Sequence, residues 1–524
     1  MHIRRNAGRH TVPLVDDVDE VDRVDRDRER DGLAPFSTRA TWSTSSAEST
    51  PSTLGGGASC LPAAEVAGVA IKALRAGLRI MAPLVFGVVA MLGVIPLSHA
   101  QNPIQLGTGL EYGVMLQGSN GEANLVIDLN AATPAGATQR PPISVALVID
   151  RSGSMAGGKM SNAIAAASSF IRSLRVGDVV AVYAYDDVVE QIAPPTPVNA
   201  ATTPGLLRAV TRLYPRGSTN LHDGLAAGIE ALQTPLSERP IRRVIVVSDG
   251  LANVGPSDPF SLGELAAQAA RSAGISVTSI GVGLDYSEAV LGALAIRSGG
   301  RFYHLQEPAQ MVAILETELN ALSGTVARGL ILQVEPGPDV IVVSATGADL
   351  ARRGRGAELR LGDMQGGQAR TVVVNLRVPT TGGPVHEAAR VALRYDLAAG
   401  PGGQRTADDA VSYRVATSND QVEGSVNARY AVVVEQHRAA LVNQQAVEML
   451  GQGRNDGAGD VLLAQAHRMR SRARAIGGEA GRDLEQEAER VEGAERRARA
   501  ARSQPARRAA QLDFNDDALD ALGY

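Results

Sequence analysis

The sequence predicts an α/β protein: a doubly wound, mainly parallel sheet, inserted in or followed by a β-sandwich, with a C-terminal α-helical region. Three observations carry this. Across residues 143–322, short apolar runs alternate with stretches whose apolar residues recur at helical spacing, the pattern of strands joined by crossover helices. On either side, at 101–142 and 325–420, short alternating runs are broken by turn residues, which reads as antiparallel sandwich. From Ala428 onward the apolar residues take helical spacing, as in Leu462, Ala466, Met469, Ala473 and Ile476.

In the central unit the strands read Ile143–Asp150, Asp178–Tyr185, Val188–Ala193, Arg243–Ser248, Ile275–Val282 and Arg301–His304. The first helix shows Met160, Ala163, Ala167, Phe170 and Leu174 on one face. Leu206–Leu213, Leu221–Leu232, Leu262–Ala273, Ser287–Arg297 and Pro308–Leu322 read as further helices. Val188–Ala193 follows its neighbour across Asp186-Asp187, too tightly for a crossover, and is therefore the antiparallel edge. Ahead of this unit, Glu111–Leu116 and Ala123–Leu129 are too few strands to make a core. They must pair with the later runs Leu330–Glu335, Val340–Ala345, Glu358–Leu361, Arg370–Val378, Ala388–Tyr395 and Ala410–Val415, so the central unit is inserted in a discontinuous sandwich. Residues 428–502 read as a helical hairpin followed by a charged helix, which either packs on the hairpin or stands solvated. Residues 503–524 read as a disordered acidic tail.

Composition narrows the function. The chain has 524 residues, 44% hydrophobic but only 3% aromatic, and 51 Lys plus Arg against 56 Asp plus Glu. A net charge of -5 and few stacking side chains argue against nucleic-acid binding. The single cysteine, Cys60, excludes a disulfide framework and Cys-built metal sites, and its Ser/Thr/Gly surroundings do not suit lipidation. Residues 1–80 read as disordered or as an untranslated upstream extension. Lys72, Arg75 and Arg79, the uncharged run Ala82–Leu97 and the small-residue site Ser98-His99-Ala100 describe a signal peptide, with core 81–100 and cleavage before Gln101. The alternative is an anchor, but 16 residues fall short of a span, which needs ~20. Export to the periplasm, cell surface or medium is expected, with no stable membrane span after cleavage.

The chemistry concentrates at strand ends. The first central strand runs into Asp150-Arg151-Ser152-Gly153-Ser154-Met155, where three oxygen-bearing side chains alternate on a tight turn. Thr219, in Gly217-Ser218-Thr219-Asn220, and Asp249, in Ser248-Asp249-Gly250, are carried by two other segments that reach the same sheet edge. Two carboxylates and three hydroxyls, without His or Cys, are hard donors suited to Mg²⁺, or to Mn²⁺ or Ca²⁺.

This set resembles the von Willebrand factor type A domain with its metal-ion-dependent adhesion site: Asp-x-Ser-x-Ser, a distant Thr, and a later Asp in Asp-Gly. The domain is expected at 143–322. The resemblance implies that Ser152, Ser154 and Thr219 bind the ion through hydroxyls, and Asp150 and Asp249 directly or through water. It also implies a coordination position left for an Asp or Glu carboxylate of a protein partner. The implied protein is an exported bacterial binding module for adhesion or envelope assembly; the alternative is a chaperone-like subunit of a MoxR-type ATPase. No Gly-x-Ser-x-Gly, His-Glu-x-x-His or phosphate-loop motif occurs, so no enzyme is expected. Asn220 and Asp223 read as a helix cap and first-turn charge, Asp186 and Asp187 as a turn, His222 as helix surface and His304 as structural. The helix 308–322 presents Met311, Ile314, Leu315, Leu319 and Leu322, an apolar face that either slides if the site couples to it or rigidly completes the core.

Overall fold

The structure is a computed structural model that describes residues 102–133, 140–233, 239–399 and 403–524. The signal-peptide segment, Cys60 and the N-terminal extension lie outside the described residues.

Three strands come first: β1 (Ile104–Leu110), β2 (Val114–Leu116) and β3 (Glu122–Ala131). The central unit follows as β4 (Ile143–Asp150), α1 (Gly158–Ser173), β5 (Val179–Tyr185), β6 (Val189–Pro197), α2 (Thr203–Val210) and α3 (Leu221–Gln233). It continues as β7 (Ile241–Ser248), α4 (Pro259–Ala273), β8 (Ile275–Val282), α5 (Glu288–Ser298), β9 (Phe302–Leu305) and α6 (Met311–Ser323). Its sheet has the order β6-β5-β4-β7-β8-β9, parallel throughout except for β6. β4 is central, with Leu147 between Val182 and Ile245, and every one of its residues is buried. Such strands must be apolar on both faces, which explains their unbroken Val/Ile/Leu runs. Val145, Leu147 and Ile149 pack with Met160, Phe170, Met311 and Leu315, whereas Ala146 and Val148 pack with Leu225, Ile229 and Leu262. The period-two alternation of the strand thus separates two helical layers.

β10 (Thr325–Pro336), β11 (Ile341–Thr346), β12 (Asp349–Arg353), β13 (Gly356–Gln365), β14 (Ala369–Arg377), β15 (Val385–Leu397) and β16 (Gln404–Ala416) complete two further sheets. Their orders are β1-β3-β14-β11 and β12-β13-β10-β15-β16-β2. Leu125, Ile127, Val372 and Val374 from one sheet share a core with Leu332, Leu359, Val391 and Leu393 from the other. β3 pairs antiparallel with β14, Leu125 opposite Val374, so the sandwich is assembled from chain on both sides of the central unit. β1 and β12 are absent from the sequence reading. β1 (IQLGTGL) is diluted by two glycines, and β12 (DLARR) is mostly exposed, so neither shows an alternating apolar run.

The C-terminal region is α7 (Asn419–Glu423), α8 (Ala428–Gly451), α9 (Asn455–Ile476), α10 (Gly478–Ala500) and α11 (Gln504–Ala521). The charged helix α10 is not a solvated rod, because Leu484, Ala488, Val491, Ala494 and Ala498 share a core with Leu462, Ala466 and Met469 of α9. The expected disordered tail is corrected more sharply. Residues 504–521 form α11, capped by the Ser503 side chain on the Ala506 amide and burying Leu512, Phe514 and Leu519. Of the two readings of α6, a sliding apolar face or a rigid helix that completes the core, its contacts favour the second. Its Glu318 is buried, accepting from Thr278 Oγ1 (2.7 Å) and Tyr303 Oη (3.0 Å), with Arg243 at 3.7 Å. Among the described residues, no helix is long and apolar enough to cross a membrane.

Candidate metal centre

The site forms where β4 and β7 end side by side and the loop before α3 folds over them. β4 delivers Asp150 into the edge with no solvent exposure. Its Oδ1 accepts the Ser152 amide (2.8 Å), which closes the turn, and its Oδ2 accepts the Ser248 hydroxyl (2.9 Å) from β7. Burial pushes the Asp150 carboxyl up to about 6, with the neighbouring Asp249 adding to the rise against the two serine hydrogen bonds.

A chain of oxygens then runs outward. Ser152 Oγ lies 3.0 Å from Ser154 Oγ, and Ser154 Oγ donates to Asp249 Oδ1 at 2.7 Å. Thr219 is fixed by its backbone: its amide donates to Asn253 Oδ1 (2.8 Å), and its carbonyl accepts from the amides of Asn253 (3.1 Å) and Val254 (3.3 Å). Gly250 shows how near the hydroxyls are, since a Cβ there would lie 3.4 Å from Ser154 Oγ and 3.6 Å from Thr219 Oγ1. All five sequence-derived residues therefore stand around one point.

The surrounding groups hold these loops. Arg151, buried between the donors, donates from Nε to Asp186 Oδ2 (2.9 Å) and from Nη1 to Glu190 Oε2 (2.6 Å). Arg216 Nε reaches the same Asp186 oxygen at 2.5 Å, and Arg216 N donates to Arg151 O at 2.6 Å. Burial works to raise the Asp186 carboxyl, but Arg216, the Val188 amide and Arg151 outweigh it and hold it below the usual carboxylate range. Asp187 accepts from the Ser218 amide at 3.1 Å. Asp186 and Asp187 thus make the turn into β6 and also brace the Thr219 loop. Asn220 caps α3 through the Asp223 amide (3.2 Å) and donates from Nδ2 to the Asp223 carboxylate (2.8 Å), while His222 contacts that carboxylate at 2.9 Å. His304 is bonded to Tyr286 Oη at 2.6 Å on β9.

Two features bear on whether these residues suit a divalent ion. Among the described residues no three His, Cys, Asp or Glu side chains converge, so a metal here would depend on the three hydroxyls. The Lys159 ammonium, which the sequence reading passed over, lies 2.5 Å from Asp249 Oδ2. Of the two carboxylates this ammonium contacts Asp249. Hard oxygen donors around a point that attracts positive charge fit Mg²⁺, Mn²⁺ or Ca²⁺.

Residues 144–317 match the von Willebrand factor type A domain family. An uncharacterised protein of Synechocystis sp. is 26% identical over 269 residues, 49% of this chain and 62% of that protein. The uncharacterised protein YfbK of Escherichia coli is 26% identical over 200 residues, 38% of this chain and 34% of that protein. Human inter-alpha-trypsin inhibitor heavy chain H4 is 27% identical over 180 residues, 33% of this chain and 19% of that protein. The chain spans less than two thirds of the length of each. Among solved structures, a von Willebrand factor type A protein from Catenulispora acidiphila superposes with a TM-score of 0.58 at 16% identity, covering 74% of this chain and 96% of that one. The central unit of this chain is a von Willebrand factor type A domain.

Proposed function

We propose that the protein is an exported binding module that captures an Asp or Glu carboxylate of a protein partner at a divalent-cation site, for adhesion or for assembly of an envelope complex. The observation that carries this reading is the convergence of Asp150, Ser152, Ser154, Thr219 and Asp249 at the carboxyl edge of the parallel sheet. These five residues would hold Mg²⁺, or Mn²⁺ or Ca²⁺. When bound, the ion supplies a Lewis-acidic position for a carboxylate oxygen.

The chain's own residues do the rest. Asp150 and Ser248 lock the two strand ends together. Val188, Tyr214, Leu251 and Leu284 are exposed in the loops of this edge. Such apolar side chains exclude water around a charged contact and strengthen it, because Coulomb attraction rises as the local dielectric falls. The reading is binding rather than catalysis, since His222 and His304, the histidines considered for a role beside the site, are each engaged by a neighbour.

Affinity capture from envelope extract tests the module. A partner retained by wild type in Mg²⁺ should be lost with chelator and with Asp150→Ala; retention under all conditions overturns the reading. Sequencing the exported protein tests its processing. A mature N-terminus at or near Gln101 is expected, and one upstream of Ala82 would replace the cleaved signal with an anchor.

A further inference from the structure

We propose that Lys159 is a built-in counter-ion that sets the charge of the metal site, lowering its affinity for the divalent cation and raising the affinity of the loaded site for a carboxylate. This rests on the reading of the five-donor cluster as a cation site.

The geometry is specific. Lys159 Nζ sits 2.5 Å from Asp249 Oδ2, while the other carboxylate oxygen is taken by Ser154 at 2.7 Å. The Asp249 side chain is fully buried and that of Lys159 is 23% exposed, so the pair is shielded on the side of the protein. Lys159 occupies the first turn of α1, a turn without an acidic residue. A cation there opposes the helix dipole, so its position needs another source of stability, and Asp249 supplies it. The side chain passes Gly283 at the end of β8, where a Cβ would lie 3.5 Å from Lys159 Cε and 3.6 Å from Nζ.

The residue type is as informative as the place. Of 51 basic residues only Lys72 and Lys159 are lysines. A guanidinium tends to take both oxygens of a carboxylate in a fork, which here would displace Ser154 from Oδ1. An ammonium binds as a point charge and leaves Oδ1 to the hydroxyl.

Charge counting gives the consequence. Arg151 and Arg216 are matched by Asp186 and Glu190 and cancel. Among the five donors and the ammonium in direct contact with them, Asp150 and Asp249 with Lys159 sum to one negative charge, so a bound divalent ion leaves one positive charge in excess within this set. Without the lysine the loaded site would be neutral, and a carboxylate would gain far less by entering it. Lys159 therefore exchanges metal affinity for ligand affinity.

The test uses the full chain, with Mn²⁺ titrated by electron paramagnetic resonance and acetate then titrated onto the Mn²⁺-loaded protein. Lys159→Met should bind Mn²⁺ at least fivefold more tightly and acetate at least fivefold more weakly. Lys159→Gln should move both constants the same way, whereas Lys159→Arg, which keeps the charge but competes with Ser154 for Asp249, should not tighten Mn²⁺ binding. Loss of both affinities in the two neutral variants would make the lysine a structural strut, and unchanged affinities would make it a bystander; either overturns the proposal. Wild type that takes up no Mn²⁺ overturns the cation-site reading itself, a result distinct from both.

Discussion

Arg151 occupies a variable position of Asp-x-Ser-x-Ser, yet it is among the largest fully buried side chains of the molecule. It bridges the strand end that carries the donors to the turn that carries Asp186. Replacing Arg151 by Ala leaves Asp186 to Arg216 alone and removes the strut under the serines. A loss of about 3 kcal/mol is expected, the low end for breaking a buried pair, because one partner remains; urea unfolding at constant pH measures it. Thr219→Ala makes the opposite separation. Its backbone contacts with Asn253 and Val254 do not use the hydroxyl, so thermal stability should hold while Mn²⁺ affinity falls at least tenfold. Equal affinity in wild type and variant would remove Thr219 from the site. At this scale the convergence of the five residues was legible because Asp150, Ser152 and Ser154 lie within one turn and the other two end short, recognisable segments. Arg151 and Lys159 were not, since their partners Asp186 and Asp249 are distant in sequence and only the parallel crossovers bring them near. The rarity of lysine in an arginine-rich chain is the signal that the sequence offers for Lys159.

Among the elements, two helices were legible only in part, for different reasons. α6 shows a clear apolar face, and Met311, Leu315, Leu319 and Leu322 do enter the core. What the periodicity hides is Glu318 in the middle of that face, tied to Thr278 and Tyr303 from two strands and near Arg243. A hydrogen-bonded carboxylate in a low-dielectric core fixes register where apolar contacts alone would slide. Glu318→Ala should lower stability by about 3 kcal/mol by orphaning these groups, and a Tm within 1 °C of wild type would contradict the anchor. α11 fails as a sequence signal because it serves two cores at once. Leu512 and Leu519 join the helical layer on the parallel sheet, while Phe514 enters the C-terminal bundle beneath Arg497. No single stripe results, and three aspartates between them, Asp513, Asp516 and Asp517, give the look of a solvated tail. Phe514→Ala should cost about 3–5 kcal/mol through the cavity it leaves, whereas a disordered tail would register nothing in a thermal melt.

At the level of the whole molecule, the discontinuous sandwich could be read from arithmetic, since two strands ahead of a domain need partners, but the joint between sandwich and central unit could not. That joint is backbone against backbone. A Cβ on Gly299 would lie 2.5 Å from Gly362 Cα, and Gly362 itself has φ +74, so both positions tolerate only glycine. Arg243 adds a contact to Asp363 at 3.5 Å. The C-terminal helices complete the assembly through α8, and His437 is where that helix meets the sandwich. It is buried between β11 and β14, with Thr346 Oγ1 2.8 Å from Nδ1 and Thr371 Oγ1 3.2 Å from Nε2. Arg438 and Glu435, its charged helix neighbours, pair with each other. Burial pushes the imidazole down to about 4 from 6.5. The unfolded chain therefore takes up a proton near pH 6.5 and the folded protein only near pH 4, so stability is full above this window and falls as pH drops through it. The shift corresponds to about 3 kcal/mol. Asp516 acts in the other sense. Burial and the nearby Asp520, Asp517 and Asp513 raise it to about 6, so the fold gains from its protonation as pH falls from 6 toward 3.8. Asp516 is common to wild type and a His437 variant, so its contribution cancels when the two are compared. His437→Gln retains a donor and an acceptor for the threonines without a titrating charge. It should match or trail wild type at pH 7 and overtake it as pH falls through the window, so that the two curves of Tm against pH cross. Parallel curves would mean that the protonated imidazole finds a partner or water at this joint, and that the seam between α8 and the sandwich is open rather than packed.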